Sequence, residues 1–370
     1  MKMITVIIKT TNACNFRCLY CYHEDLGYIN DRIDLDDFEK ISRLCAKEYD
    51  IVVLVWHGGE PMMAGLNFFT AAMERLDNVK QEYPNVKFVN ELQTNLSLLN
   101  EKWMDFFLKY DFKVGVSFDG PCNEFTRDGT DIVLKNAQYL REKTGSLHGL
   151  AVISKKNIDL VNTYKYFEDL GFIFSFNPIF KEGAAHDHDY LLITPQEYIE
   201  NVKKLFDYWI YSPKAKDIRL FTTHLHLCMG VEHRLCYNGS CLGKWISIHT
   251  DGNLYPCSHT SISSKYCLGN IKDIDSISEA FSTEAMKKLL EVVMKKRRKC
   301  IKNCNLFYYC QSNCPASQLR NLENGLGDFE CIAFKGIFPF IQDFYNKVKN
   351  KEIPVDSLNP LLQRMFQFKE

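Results

Sequence analysis

An α/β fold, a partial (β/α)6 TIM-like barrel carrying a loop-rich, cysteine-dense domain on its carboxy-terminal side, is what this 370-residue sequence predicts. Three observations carry that expectation. Short β-branched and aromatic runs alternate with stretches of three- and four-residue apolar spacing, the pattern of parallel strands joined by helical crossovers. There are six such runs, too few for an eightfold closed barrel, so the sheet should stay open. Beyond residue 177 the alternation stops, and nine of the 15 cysteines fall between positions 236 and 331, eight of them at ligand-like spacing.

In chain order, strands are expected at 5–8, 51–56, 86–92, 113–118, 149–153 and 172–177. Helices fill the intervals at 35–48, 66–78, 100–109, 130–143 and 158–170. Residues 181–189 read as a polar linker loop at the barrel rim with Gly183, His186 and His188, and 195–211 as one amphipathic helix leading outward. Residues 245–254 have hairpin character around Asp251-Gly252. A last helix at 337–350 should pack back on the body. This divides the chain into a barrel with its connecting helix at 1–230, a cysteine-dense domain at 231–335 and a helical tail at 336–370.

Composition excludes several classes. Lys and Arg total 45 against 46 for Asp and Glu, so no overall field exists to hold a nucleic-acid backbone. The apolar opening MKMITVII is too short for a signal peptide, and no stretch has the length of a membrane span, which implies a cytoplasmic protein with no membrane partner. In that compartment fifteen cysteines point to metal or cluster ligation rather than disulfides. Cys45, Cys122, Cys228 and Cys267 stand outside any ligand spacing and read as small buried hydrophobes.

Cys14, Cys18 and Cys21 form a C-x3-C-x2-C loop directly after the first strand, where parallel sheets gather their chemistry. Three thiolates on a tight loop can hold three irons of a cubane and leave the fourth open to a small chelating molecule. Zinc would need a fourth ligand and usually uses separated C-x2-C pairs.

These residues, CNFRCLYC, resemble the signature of radical S-adenosylmethionine (SAM) enzymes, and further motifs of that family follow in order. The resemblance implies a [4Fe-4S] cluster whose open iron chelates SAM, and reductive cleavage of SAM to a 5′-deoxyadenosyl radical that takes hydrogen from a substrate. Trp56-His57-Gly58-Gly59-Glu60-Pro61 resembles the family's motif for the SAM amino group, carried over to Gly58, Gly59 and Glu60. Asn95 and Ser117 become candidates for ribose and carboxylate contacts, with Asp119 also on the rim and helix capping as their plainer role. Arg127 sits where relatives place a carboxylate-binding arginine. Tyr20 would pack near the cofactor, and His57 either lines the site or packs beneath it.

Downstream, Cys300, Cys304, Cys310, Cys314 and Cys331, together with DGNLYPC ending at Cys257, resemble the SPASM extension of radical SAM maturases. Family pairing gives one auxiliary cluster to Cys236, Cys241, Cys257 and Cys314 and another to Cys300, Cys304, Cys310 and Cys331, three [4Fe-4S] clusters in all. Relatives show C-x2-C where this chain has C-x3-C between Cys300 and Cys304. Two zinc sites are the alternative for these eight cysteines.

The resemblance implies an oxidoreductase acting under anaerobic conditions on a peptide or protein, and the leading expectation is installation of a cross-link in a ribosomally made peptide. The WHGGEP form is similar to that of peptide-cyclising members. The alternatives are anaerobic sulfatase maturation, forming formylglycine from Cys or Ser, and radical epimerisation. Sulfatase maturases carry an aspartate base after the cysteine of the YPC segment, where this chain has Ser258 and then His259. His259 is thus a candidate base, and Cys267 or Cys228 a candidate hydrogen donor for an epimerase. A non-catalytic cluster protein would not need ordered SAM-binding motifs. Implied partners are an external one-electron reductant such as flavodoxin or ferredoxin and a separate leader-peptide-binding protein, since thirteen residues before Cys14 leave no room for an appended recognition domain. An extended peptide could also join an open sheet edge.

Overall fold

The computed structural model describes residues 1–23, 31–231, 241–261, 263–323 and 327–367. Strand β1 (Met3–Lys9) leads through helix α1 (Leu35–Glu48) to β2 (Ile51–His57), and α2 (Leu66–Glu82) leads to β3 (Lys87–Thr94). Helix α3 (Glu101–Lys109) connects to β4 (Phe112–Ser117), followed by the single turn α4 (Asn123–Thr126) and α5 (Thr130–Thr144). Then come β5 (His148–Ile153), α6 (Leu160–Leu170) and β6 (Ile173–Pro178). Neighbouring strands from β1 to β6 pair parallel in sequence order, as right-handed crossovers require.

Caps set the helix starts. Asp34, Asn100 and Asp159 each accept a backbone N–H of the first turn. Aromatic side chains fill the space between sheet and helices: Trp56 lies 4.9 Å from Phe38 and 5.0 Å from Phe69, centroid to centroid, and all three are buried.

Helices α7 (Pro195–Trp209) and α8 (Arg219–Cys228) then lead to a hairpin of β7 (Trp245–Ile248) and β8 (Asn253–Tyr255), closed by β9 (Gly269–Asn270). The hairpin is not set apart from the barrel. Strand β7 pairs parallel with β1, giving one open nine-stranded sheet in the order β6-β5-β4-β3-β2-β1-β7-β8-β9. The short helix α9 (Ile277–Ala280) precedes α10 (Glu284–Asn303), whose Met286, Leu289 and Val293 form a buried stripe that was hidden in the sequence among lysines and arginines. The turn α11 (Phe307–Cys310) and α12 (Pro315–Glu323) follow. Helix α13 (Phe329–Lys349) starts eight residues before the expected tail helix, because Asp328 caps it and Ala333 and Phe334 continue its buried face. It packs on α7 and α8. The chain ends in α14 (Pro360–Gln367).

Among the described residues no helix is long and apolar enough to cross a membrane.

Candidate active site

The carboxyl ends of β1 to β4 and β7 form one rim, and the cysteine loop lies across it. Gly59 N donates to Thr11 O at 2.8 Å and Glu60 N to Ala13 O at 2.8 Å, fastening the end of β2 to the loop that leads into Cys14. Only glycine permits this approach. A Cβ on Gly58, whose φ is +133°, would lie 2.4 Å from Thr11 O, and one on Gly59 would lie 2.2 Å from Ala13 O. Here the paired glycines admit the backbone that carries the cysteines.

Glu60 is buried, and its carboxylate accepts from Met62 N at 3.0 Å, the Thr94 hydroxyl at 2.7 Å and Asn95 N at 2.7 Å. Burial raises its pKa, with those donors acting in the opposite direction. Asn95 donates from Nδ2 to Asn15 Oδ1 at 2.9 Å, tying β3 to the cysteine loop, and Ser117 accepts from Gln93 Nε2 at 2.7 Å. Asp119 is the joint of the far side. Its Oδ2 accepts from the Tyr20 hydroxyl at 2.6 Å and the Thr126 hydroxyl at 2.7 Å, and its Oδ1 from Val152 N at 2.9 Å. Arg127 donates to the Tyr20 hydroxyl at 3.1 Å, while its Nε is buried without a hydrogen-bond partner. A guanidinium with a spare buried donor beside three cysteines fits an anionic cofactor group.

A second set of side chains lines the space between Cys21 and Cys257. Lys9, 1% exposed at the end of β1, donates to the Tyr22 hydroxyl at 2.8 Å and to His23 Nε2 at 2.7 Å. Burial lowers its pKa to about 7. The Tyr22 ring stands 4.6 Å from His259 and 6.4 Å from His57, and Ser258 hydrogen-bonds the Tyr22 hydroxyl. Burial, followed by the Lys9 charge, lowers His57 to about 3 and His249 to about 4, so both imidazoles are neutral. His259 Nδ1 lies 3.4 Å from Glu182 Oε2, and Glu182 Oε1 accepts from Arg320 at 2.6 Å. Burial acts to raise Glu182, but His259 and Arg320 outweigh it and hold the carboxyl below its ordinary range.

Glu182 reaches this position because the polar loop is not a solvated linker. Ala184 N donates to Cys21 O at 2.9 Å, and a Cβ on Gly183 (φ +51°) would lie 2.2 Å from that same oxygen.

The carboxy-terminal cysteines divide into two places. Cys300, Cys304, Cys310 and Cys331 line one cavity with Lys296, Phe334 and Lys335. The C-x3-C spacing suits it: Cys304 caps α10, its N–H donates to Cys300 O, and residues four apart share a helix face. Between Cys310 and Cys314, Gln311, Ser312 and Asn313 all have positive φ, at 49°, 73° and 66°, a left-handed turn held by Gln318 Nε2 donating to Ser312 O at 2.8 Å. The turn sends Cys314 away toward α12, which packs on Ser258–Thr260 just after Cys257. Cys241 is described, whereas Cys236 lies outside the described residues. Among the described residues no three His, Cys, Asp or Glu converge as they would on a single ion.

Of the candidates for chemistry, His259 faces Tyr22 and Glu182. Cys267 does not join them; its Sγ contacts Gly269 O at 3.7 Å, against the hairpin. Cys228 packs beside Phe334 and Phe338, and of the four unassigned cysteines only Cys45 is fully buried. The sequence offered faint signals for Lys9, a lone charge ending an apolar strand, and for Tyr22 and His23, adjacent to Cys21. For Glu182, His249 and Arg320 it offered none.

Residues 8–167 match the Radical SAM superfamily, and residues 236–315 match SPASM, an iron-sulfur cluster-binding domain. The cysteine-type anaerobic sulfatase-maturating enzyme of Clostridium perfringens is 28% identical over 92% of this chain and 96% of its own length. The serine-type enzyme of Bacteroides thetaiotaomicron is 23% identical over 97% of this chain and 95% of its own. A solved structure of native anSMEcpe with bound AdoMet and Cp18Cys peptide superposes with a TM-score of 0.80, at 26% identity, covering 95% of this chain and all of that one.

Proposed function

The chain is a radical SAM enzyme with a carboxy-terminal SPASM domain, and on that premise we propose that it oxidises a cysteine or serine side chain of a protein to formylglycine. A radical SAM domain binds a [4Fe-4S] cluster and SAM, and a SPASM domain binds auxiliary iron-sulfur clusters; together they supply the hydrogen-abstracting radical and accept the electron left on the substrate.

The observation that carries the proposal is similarity to both cysteine- and serine-type sulfatase maturases over nearly the whole length of each chain. It supports formylglycine formation over the cross-link that the WHGGEP form suggests. Removing hydrogen from the substrate Cβ and then one electron leaves the thiol or hydroxyl proton to be taken up; its loss gives the aldehyde directly from serine, and from cysteine a thioaldehyde that water hydrolyses with release of hydrogen sulfide. Ser258, the residue after Cys257, cannot take it at neutral pH, and its hydroxyl engages Tyr22. His259 can: Glu182 stands at its Nδ1, orienting the ring and stabilising the imidazolium that forms. Cys14, Cys18 and Cys21 would hold the SAM-binding cluster. Arg127, Asn95 and Ser117 would bind SAM, Glu60 would brace that rim from beneath, and Tyr22 and His57 would line the space where substrate enters.

The test is anaerobic incubation of reconstituted enzyme with SAM, reductant and a sulfatase peptide carrying Cys or Ser. A product aldehyde captured by a carbonyl reagent supports the proposal. A product that has lost two hydrogens without a carbonyl would establish cross-linking instead, and a product of unchanged mass in ordinary water that gains one deuterium in heavy water would establish epimerisation.

A further inference from the structure

Lys9 is the last residue of β1, 1% exposed, and its two hydrogen-bond partners, Tyr22 and His23, are both uncharged groups. Among the described residues no carboxylate reaches it, whereas the other lysines in ion pairs, such as Lys155, Lys181 and Lys296, reach an acid at the surface. A buried ammonium without an anion is costly, and a methionine of the same length would remove that cost. The retained charge therefore needs an anionic counterpart. Its electrostatic partners are Cys21 and Cys257, one from the loop after β1 and one from the hairpin beside it. Both become thiolates when they bind iron, and a thiolate-ligated cubane is anionic. Among the histidines here, His23, His57 and His249 each receive the Lys9 charge as a force against their own protonation, so none of the three competes as a cation.

We propose that Lys9 is a counter-charge shared by the two clusters that Cys21 and Cys257 hold, a positioning residue that makes both easier to reduce. The sign follows from charge: each cluster gains negative charge on reduction, and a fixed cation between them favours that state. Lys9 also fixes Tyr22 and His23 at the floor of the substrate space. The proposal rests on the three-cluster reading, which iron content tests separately.

The experiment is an EPR-monitored potentiometric titration of anaerobically reconstituted wild type, Lys9→Met, Lys9→Gln and Lys9→Arg, with the clusters resolved by cysteine-to-alanine backgrounds. Lys9→Met and Lys9→Gln should lower the reduction equilibrium of the clusters at Cys21 and Cys257 at least tenfold, a shift of about 59 mV for one electron. The cluster at Cys300 should not move, and Lys9→Arg should restore wild-type values. Unchanged potentials in whichever neutral variant loads wild-type iron would overturn the proposal, as would an equal shift at the Cys300 cluster. Failure of both neutral variants to bind iron while Lys9→Arg binds it would support it. Wild-type enzyme with fewer than three cubanes would instead overturn the cluster reading.

Discussion

Glu60 Oε2 accepts a 2.7 Å hydrogen bond from the backbone N–H of Asn95, so the motif that ends β2 is braced by the residue that follows β3. Because Oε1 is also engaged, by Met62 N and the Thr94 hydroxyl, Glu60→Gln must place an amide N–H against a donor at one position. The expected loss is about 2 kcal/mol of stability, read by denaturant unfolding, together with weaker SAM binding.

Gly59→Ala should act on the cysteine loop rather than on the sheet. The new Cβ would meet Ala13 O at 2.2 Å and Asn12 O at 2.8 Å, both backbone atoms that no rotamer change can move, so the segment before Cys14 must move. We expect far-UV circular dichroism to stay as in wild type while iron and sulfide fall by about one cubane.

Cys304→Ser removes a proposed cluster ligand from the cavity that Cys304 lines with Cys300, Cys310 and Cys331. Iron should again fall by about one cubane, but SAM binding should persist, because the loop of Cys14, Cys18 and Cys21 is untouched. Loss of SAM binding in this variant would argue against independent cluster sites.

Arg320 is 4% exposed, stacks 3.9 Å from the Phe180 ring centroid and pairs with both Glu182 and Glu330. Arg320→Met leaves Glu330 without its cation and Glu182 with His259 alone, and should cost about 3 kcal/mol. Adding Glu182→Gln and Glu330→Gln should recover part of that stability, which unfolding midpoints of the single and triple variants would show.

His224 on α8 is buried between Phe334 and Phe338 with both ring nitrogens unpartnered, and burial lowers its pKa from 6.5 to about 3. The folded state therefore holds it neutral while the unfolded chain takes up a proton below 6.5. Its contribution to stability is full above that pH and is lost as pH falls toward 3, by about 1.4 kcal/mol per pH unit. His224→Phe should flatten the stability profile between pH 6.5 and 5, measured by denaturant unfolding across that range.

The cysteine loop and its place after the first strand were legible because both depend on short-range pattern. Ligand spacing is local, and the β-branched run Thr5-Val6-Ile7-Ile8 reads as strand wherever it lies. The six parallel strands followed for the same reason. The pairing of β7 with β1 was not legible, since register between strands some 240 residues apart leaves no trace in either segment. Gly183 likewise looked like a linker glycine, and only the approach of Cys21 O shows why a side chain there would not fit.

Sequence by itself determined the chemistry on offer: three thiolates on one loop, paired glycines before Glu60, and a carboxy-terminal set of cysteines spaced for clusters. Tertiary structure alone decided which charges meet. Lys9 is buried beneath Tyr22, Glu182 is brought from the loop after β6 to His259, and Arg320 arrives from α12 to hold it. The reason is physical. Ligand spacing is written in covalent distance along the chain, whereas a buried charge is defined by what surrounds it, and those neighbours are assembled only when the sheet closes β7 against β1.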